Sequence, residues 1–248
     1  MSHHIVEVRD LFFAYPDGTE ALRGVSFRIE HGGAVALVGA NGAGKSTLLL
    51  HLNGYLAPVR GQVRIGDTPL TRATAPLARR AVGMVFQDPD DQLFMPTVAE
   101  DVAFGPLNAG LPPEDVERRV AAALERVGMT HLRDRPPYRL SAGEKRAVAI
   151  ATVLAMTPDI LIMDEPSSNL DPRSRRRLIN LLRSFEHTKI IATHDLELVV
   201  DVCSRVLVLD GGKIVADGPT AIILNDEALM LEHGLERPHS LRHAHPHP

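Results

Sequence analysis

The segment Gly39-Ala-Asn-Gly-Ala-Gly-Lys-Ser46 matches the pattern G-x-x-x-x-G-K-[ST]. It follows an apolar run, Ala34–Val38, and opens a helical pattern, Lys45–Leu52, which is the strand–loop–helix setting that this motif requires. Glycines let backbone N–H groups turn towards an anion, and the helix N-terminus adds partial positive charge. The alternative is a glycine-rich turn before a helix. The segment therefore predicts a cradle for nucleotide phosphates.

Each residue type in this loop has an expected role. Lys45 is expected to reach the β- and γ-phosphates of a nucleotide such as ATP, and the Ser46 hydroxyl to bind Mg²⁺. The remaining residues of the cradle are expected to bind the nucleotide through the loop itself. They are Gly39, Asn41, Gly42, Gly44 and Thr47.

Outward from this loop, short β-rich runs alternate with helical patterns, which favours an α/β fold with a mainly parallel core sheet. The predicted strands are Ile5–Val8, Val25–Ile29, Ala34–Val38, Gln62–Ile65, Gly83–Phe86, Ile160–Met163, Ile190–Ala192 and Arg205–Leu209. The predicted helices are Lys45–Leu52, Pro113–Val127, Glu144–Leu154, Arg173–Phe185 and Leu196–Val202. The first strands are close in sequence and are expected to form an antiparallel flank. Residues 88–156 are mostly helical in pattern and predict an inserted helical subdomain.

Two carboxylates follow a buried strand. The apolar run Ile160–Met163 leads directly into Asp164 and Glu165. Buried carboxylates are costly unless they have partners, so we expect Asp164 to hold Mg²⁺ and Glu165 to polarise the attacking water. Solvated acids at a strand end are the structural alternative. A glycosidase pair is disfavoured because neighbouring residues on a strand point to opposite faces.

The segment Leu140-Ser-Ala-Gly-Glu144 precedes a helical pattern. Ser141 and Glu144 alone form an S-x-x-E capping box. The segment also resembles the LSGGQ signature of ABC-type ATPases, and it lies between the phosphate cradle and the acidic strand as in that family. The resemblance extends over the chain to about Leu231. It implies a P-loop NTPase fold of the ABC ATPase type over residues 1–232, followed by a tail, residues 233–248.

The resemblance assigns further residues. Tyr15 looks like the aromatic residue that stacks on adenine. Gln87 looks like the Q-loop glutamine that touches Mg²⁺ and senses the membrane partner, a catalytic and metal-binding role. Asn169–Asp171 resembles the D-loop at the dimer interface, and His194 resembles the switch histidine that contacts the γ-phosphate.

In the resembling family, two chains close on two ATP molecules, so a homodimer is implied here. Ser141 and Gly143 would then touch the γ-phosphate held by the partner chain. The sequence departs from the family at Ala142, which loses the freedom of glycine to adopt positive φ, and at Glu144, which adds negative charge. Activity is expected to survive both changes.

The segment Gln87–Phe94, with the sequence QDPDDQLF, resembles ATPases of the energy-coupling-factor group, which import cobalt, nickel and vitamins. A generic acidic loop is the alternative. The resemblance implies integral membrane partners, a coupling subunit and a substrate-binding subunit, at the cytoplasmic face of the cell membrane. The expected function is ATP hydrolysis for nickel or cobalt import. A vitamin importer's ATPase and a soluble ABC ATPase outside transport remain open.

The composition excludes or disfavours several other classes of protein. The 248 residues carry a net charge of −4, which gives no reason to expect nucleic-acid binding. One cysteine excludes an internal disulfide. The longest mostly apolar stretch, Ala147–Met156, is far too short to span a membrane. The tail from Arg237 is expected to be disordered, and its histidines could collect transition metals. These histidines are His239, His243, His245 and His247.

Overall fold

The computed structural model describes residues 6–242. The strands are β1 (Val6–Ala14), β2 (Glu20–Ile29), β3 (Ala34–Val38), β4 (Arg60–Ile65), β5 (Thr68–Pro69), β6 (Val82–Val85), β7 (Ile160–Asp164), β8 (Thr188–Ala192), β9 (Arg205–Asp210) and β10 (Lys213–Pro219). The helices are α1 (Lys45–Leu52), α2 (Ala75–Ala81), α3 (Val98–Asn108), α4 (Pro113–Val127), α5 (Ala142–Leu154), α6 (Pro172–Ser184), α7 (Leu196–Val202), α8 (Thr220–Ile223), α9 (Glu227–Glu232) and α10 (His239–Arg242).

The central sheet has the strand order β10-β9-β3-β8-β7-β6. All its pairings are parallel except β9 with β10, which is antiparallel. Strands β7 and β8 are buried along their whole length because helices pack on one face of the sheet, and α1 together with the first strands packs on the other. The predicted α/β fold with a mainly parallel core sheet is confirmed.

The first strands form a separate antiparallel sheet, ordered β2-β1-β4-β5, as the sequence predicted. Apolar residues of β1 and β2 pack with α1 and with one face of the parallel sheet, in a core that includes Leu11, Val25, Leu48, Ile162 and Leu207. Helix α1 is therefore buried between the two sheets. This packing fixes the position of the loop that precedes α1.

Among the predicted strands, the predicted and observed bounds differ most at β1. The sequence predicted Ile5–Val8, and the structure has Val6–Ala14. The strand continues through register shifts between Val8 and Leu11, which break the alternation on which the prediction relied. Strand β10 was not predicted because its residues are exposed or half-buried and it ends in Gly218 and Pro219.

Helices α3, α4 and α5 pack on one another between β6 and β7 in sequence. Helix α4 buries a stripe that includes Val116, Val120 and Leu124, at the spacing of one helix face. Helix α5 begins with the predicted capping box, in which Ser141 and Glu144 cap each other. This helix connects the helical layer to the site described below.

The chain remains packed beyond α9. Leu235 is buried, His233 Nδ1 lies 2.9 Å from Asp210 Oδ2, and the backbone N–H of Ser240 donates to Glu197 at 3.2 Å. The expectation of disorder from Arg237 is therefore wrong as far as residue 242, because this segment finds apolar and polar contacts on the domain. The expected metal-collecting histidines at 243, 245 and 247 lie outside the described residues. Over residues 6–242, every helix is too short or too polar to cross a lipid bilayer.

Candidate active site

Most of the residues singled out from the sequence line one cleft, of about 540 Å³, at the carboxyl ends of the parallel strands. This end of an open α/β sheet is where such folds bind ligands. The predicted residues that line the cleft are Tyr15, Asn41, Gly42, Gly44, Lys45, Ser46, Thr47, Gln87, Asp164, Glu165 and His194. Thr19, Glu20 and Ala21 line it as well, and the sequence analysis did not select them.

Two glycines of the loop are required by close backbone contacts. Gly39 has φ 156°, and a Cβ there would lie 2.1 Å from the carbonyl oxygen of Leu209. Gly44 has φ 105°, and a Cβ there would lie 2.5 Å from the carbonyl oxygen of Ala21. Gly39 therefore shapes the loop from behind, where it packs on β9, while Gly44 turns the chain into α1.

The ammonium group of Lys45 is held in place by its own loop. Its Nζ donates to the carbonyl oxygens of Gly39 at 2.8 Å and Ala40 at 3.1 Å, and the side chain is buried. Two of the three donors of the ammonium are used in this way. A buried cation at the start of a helix, with a donor left over, is a setting that attracts phosphate oxygens.

Tyr15 stands at the mouth of the cleft and is fixed at two points. Its hydroxyl and that of Thr47 lie 2.9 Å apart, and its ring meets Phe13 edge to face at 5.1 Å. The side chain keeps 36% of its surface exposed. An anchored but partly exposed ring beside the phosphate loop can offer a face to a nucleobase.

Asp164 is the last residue of β7 and is buried in the floor of the cleft. Burial raises the pKa of its carboxyl, while the hydrogen bond with Ser46 and the charge of Lys45 act in the opposite direction. Its Oδ1 atom is buried and, within residues 6–242, has no hydrogen-bond partner. An unpartnered carboxylate oxygen beside a serine hydroxyl is a donor set of the kind that Mg²⁺ prefers, so these residues fit the expected ion.

Glu165 leaves the strand with φ 45°, a conformation that is rare for a residue with a side chain. This turn brings Glu165 and Asp164 into the same cleft. The rule that neighbouring strand residues face apart does not apply here, because Glu165 lies beyond the strand. Its carboxylate is buried, whereas the side chain of His194 is 67% exposed, and His194 Nδ1 lies 2.8 Å from Glu165 Oε2.

Thr193 is a contact of Glu165 that sequence reasoning missed. It is fully buried, its hydroxyl donates to Glu165 Oε2 at 3.0 Å, and it accepts from the backbone N–H of Asp195 at 3.0 Å. The backbone N–H of His194 reaches the same oxygen at 3.3 Å. A threonine directly after the apolar run Ile190–Ala192, next to a candidate histidine, was the available signal. These donors fix one carboxylate oxygen and leave Oε1 for other partners.

Ser141 and Gly143 lie outside this cleft, at the start of α5. The Ser141 hydroxyl donates to Glu144 Oε2 at 2.8 Å. A Cβ on Gly143 would lie 2.5 Å from Ser174 Oγ and 3.1 Å from Ser174 Cβ, so a larger residue there would have to displace this side chain of α6. Ala142 is the first residue of the helix and does not have positive φ, so its methyl group causes no strain. One chain therefore presents the two predicted half-sites on separate surfaces.

The sequence of the chain was compared with known protein families. A profile for the family described as ABC transporter matches residues 22–168. The chain belongs to the ABC transporter family. Its match includes the phosphate loop, the signature segment and the carboxylates of β7, and the chain is an ABC ATPase, the ATP-hydrolysing subunit of a transporter.

Two relatives of this ABC ATPase cover nearly all of it. A putative ABC transporter ATP-binding protein of Geobacter sulfurreducens is 68% identical over 98% of this chain and 97% of its own length. The energy-coupling factor transporter ATP-binding protein EcfA of Methanothermobacter thermautotrophicus is 48% identical over 94% of this chain and 77% of its own.

Two solved structures share the fold of this ABC ATPase. CbiO1 of Clostridium perfringens, described as part of the ABC transporter complex cbiONQ, has a TM-score of 0.82 at 39% identity, over 93% of this chain and 94% of that one. A dimeric ATP-binding cassette in a post-hydrolysis state with ADP and Pi has a TM-score of 0.79 at 26% identity, over 87% of this chain and 98% of that one.

Proposed function

We propose that this ABC ATPase energises an importer of the energy-coupling-factor group, and that the cargo is nickel or cobalt. The observation that carries the proposal is the segment 87–94, which ends at Phe94, one member of an exposed aromatic pair with Phe104 of α3. Phe94 is 61% exposed and meets Phe104 edge to face at 4.9 Å. The similarity to EcfA and to CbiO1 supports the group, and the histidine-rich tail sequence supports the metal.

The cleft supplies the residues for ATP hydrolysis. Lys45 and the loop N–H groups would bind the phosphates, and Tyr15 would stack on adenine. Ser46, Asp164 and Gln87 would hold Mg²⁺, which when bound neutralises charge on the β- and γ-phosphates. Glu165 would accept a proton from the attacking water through Oε1, the oxygen that Thr193 does not hold.

The second half of each site would come from another copy of the chain. Ser141 and Gly143 do not reach the cleft of their own chain, and the family of dimeric cassettes supports closure of two chains around two ATP molecules. His194 would then move from Glu165 towards the γ-phosphate. Since each chain carries both half-sites, a homodimer is sufficient.

The segment 87–94 would transmit this closure to a membrane partner. Asp101 is buried and accepts at Oδ1 from the backbone N–H groups of Phe94 and Met95, both at 3.0 Å. This carboxylate fixes the backbone of the turn that carries the exposed Phe94 ring, and the edge-to-face contact with Phe104 orients the ring itself. A rigid exposed aromatic residue is typical of an interface anchor. The expected partners are the coupling and substrate-binding subunits at the cytoplasmic face of the membrane.

The test uses Phe94→Ser, with Ile222→Ser as a matched control because Ile222 is also exposed, at 66%. The full chain is tagged and co-purified with detergent-solubilised membrane subunits of its source. Loss of an anchor worth about 2 kcal/mol predicts a roughly 30-fold weaker complex for Phe94→Ser only. ATP hydrolysis by the isolated subunit should stay near wild type. Equal recovery of both variants with the membrane subunits would refute the docking role of the segment.

A further inference from the structure

Gln87 follows the last residue of the sheet strand β6 by only two positions, yet its backbone is held by the signature helix α5. Arg146 of α5 donates from Nη1 to the carbonyl oxygen of Phe86 at 2.7 Å and from Nη2 to that of Gln87 at 2.6 Å. Arg146 is only 4% exposed. Such charge-assisted bonds are stronger than neutral ones, especially away from water.

A second side chain ties the same point to α5. Gln92 accepts at Oε1 from the backbone N–H of Phe86 at 3.2 Å, and its Nε2 donates to Ala149 and Thr152 at 2.8 and 2.7 Å. Within the described residues, β6 is an edge strand of the sheet. The chain at Phe86 and Gln87 has therefore left the ladder, and both of its carbonyl oxygens accept from Arg146 of α5, while the Phe86 N–H donates to Gln92, which is itself bonded to α5.

The burial of Arg146 has an electrostatic cost that the site offsets. Burial lowers the pKa of its guanidinium, while the carboxylates of Asp88 and Asp164 favour the charged form. The Nε atom is buried and has no hydrogen-bond partner within residues 6–242. An apolar residue would fit the helix pattern at this position without the cost of burying a charge. The presence of arginine there therefore indicates that its two directed donors to Phe86 and Gln87 have a function.

We propose that Arg146 is a positioning residue that fixes Gln87 relative to the signature segment at the start of the same helix. The inference rests on the proposed function, in which Gln87 faces the nucleotide of its own chain and Ser141 faces that of the partner. Through Arg146, a shift of Gln87 at one ATP site moves the signature half-site at the other. Arg146 itself touches neither nucleotide.

The main test compares Arg146→Met with Arg146→Lys in the full chain. Methionine keeps an unbranched stem about as long as the part of arginine that precedes the guanidinium carbon and removes both donors, whereas lysine keeps the charge and can reach one carbonyl oxygen. The matched control is Arg119→Met, because Arg119 also donates to a backbone carbonyl oxygen, that of Ala155 at 3.2 Å, but within the helical layer. Each variant is assayed for steady-state ATP hydrolysis against ATP and against Mg²⁺ concentration.

A misplaced Gln87 predicts a fall in kcat of about 10- to 100-fold for Arg146→Met, with a higher Mg²⁺ concentration at half-maximal rate. ATP affinity measured without Mg²⁺ should not change, because Lys45 and its loop remain intact. Arg146→Lys should restore part of the rate, and Arg119→Met should resemble wild type. Wild-type kcat and Mg²⁺ dependence in Arg146→Met would overturn the inference.

Thermal unfolding of each variant separates misfolding from mispositioning. If Arg146→Met does not fold, Arg146→Lys carries the test, because loss of one of the two directed donors should still lower kcat and raise the Mg²⁺ concentration at half-maximal rate. Wild-type kinetics in Arg146→Lys would then overturn the inference. Failure of the wild-type chain to hydrolyse MgATP would refute the proposed function instead, which keeps the two failures distinct.

Discussion

Replacement of Glu165 by glutamine tests the chemistry of the cleft most directly. Two donors meet Glu165 Oε2, the Thr193 hydroxyl at 3.0 Å and the His194 backbone N–H at 3.3 Å, and His194 Nδ1 lies 2.8 Å from the same oxygen. In Glu165→Gln, the amide oxygen can take the place of Oε2 and accept the first two bonds. The amide nitrogen then faces the position where the carboxylate would meet water. The fold and the cleft should therefore be retained.

The expected loss follows from the missing base. An amide cannot accept the proton from the attacking water, and a positioned general base contributes about 10²–10⁴-fold to a rate. That range corresponds to roughly 3–5 kcal/mol of transition-state stabilisation. ATP should still bind because Lys45, Ser46 and the loop are unchanged. The variant should accumulate as an ATP-bound dimer.

The assay measures phosphate release at saturating MgATP, together with the molecular mass in solution with and without ATP. Glu114→Gln is a matched control, because it makes the same chemical change at an exposed residue. Glu114 lies at the start of α4, far from the phosphate loop in sequence. We expect wild-type turnover and no trapped dimer for the control. Wild-type turnover in Glu165→Gln would refute the assignment of Glu165 as the base.

Two further predictions concern the phosphate loop and the tail. Lys45→Ala removes a charged donor worth about 1.5–3 kcal/mol, so calorimetry should show about 10- to 100-fold weaker ATP binding. The control Lys213→Ala, on β10, should leave ATP affinity unchanged. Equal ATP affinity in the two variants would contradict the role of Lys45 in binding phosphate. A chain that ends after Arg237 should bind fewer Ni²⁺ or Co²⁺ ions than the full chain at pH ~7.5. Metal binding by the full chain should weaken as the pH falls through about 6.5, because a protonated imidazole has no lone pair to donate. ATP hydrolysis should be nearly unchanged in that truncated chain, and equal metal uptake by equilibrium dialysis would remove the tail as support for a metal cargo.

The local parts of the fold were readable from the sequence because their causes are local. The strand–loop–helix around Gly39–Ser46 depends on glycines and on a helix start that lie next to each other, and the structure confirms α1 at the predicted bounds. The capping box of Ser141 and Glu144 is likewise a contact across three residues. The bounds of β3 and α4 also agree with the prediction, since each has a clear hydrophobic pattern.

Arg146 shows where sequence reasoning stopped. Its charge lies on a helix face with Ala149 and Val153, which are buried, and this break in an apolar pattern was the only local signal. Its partners, Phe86 and Gln87, are about 60 positions earlier in the chain. No periodicity links residues at that separation, so only the packed structure identifies the contact.

Residue types at fixed short spacings were enough to predict the phosphate loop, the two carboxylates at the end of β7 and the family. The packed fold was needed to show that Glu165 turns with φ 45° into the cleft that Asp164 lines, and that Ser141 lies outside this cleft. Those facts depend on how β7, β8 and α5 pack together across long separations. Side-chain contacts of that kind are set by the whole core, since close packing leaves each element one position relative to its neighbours.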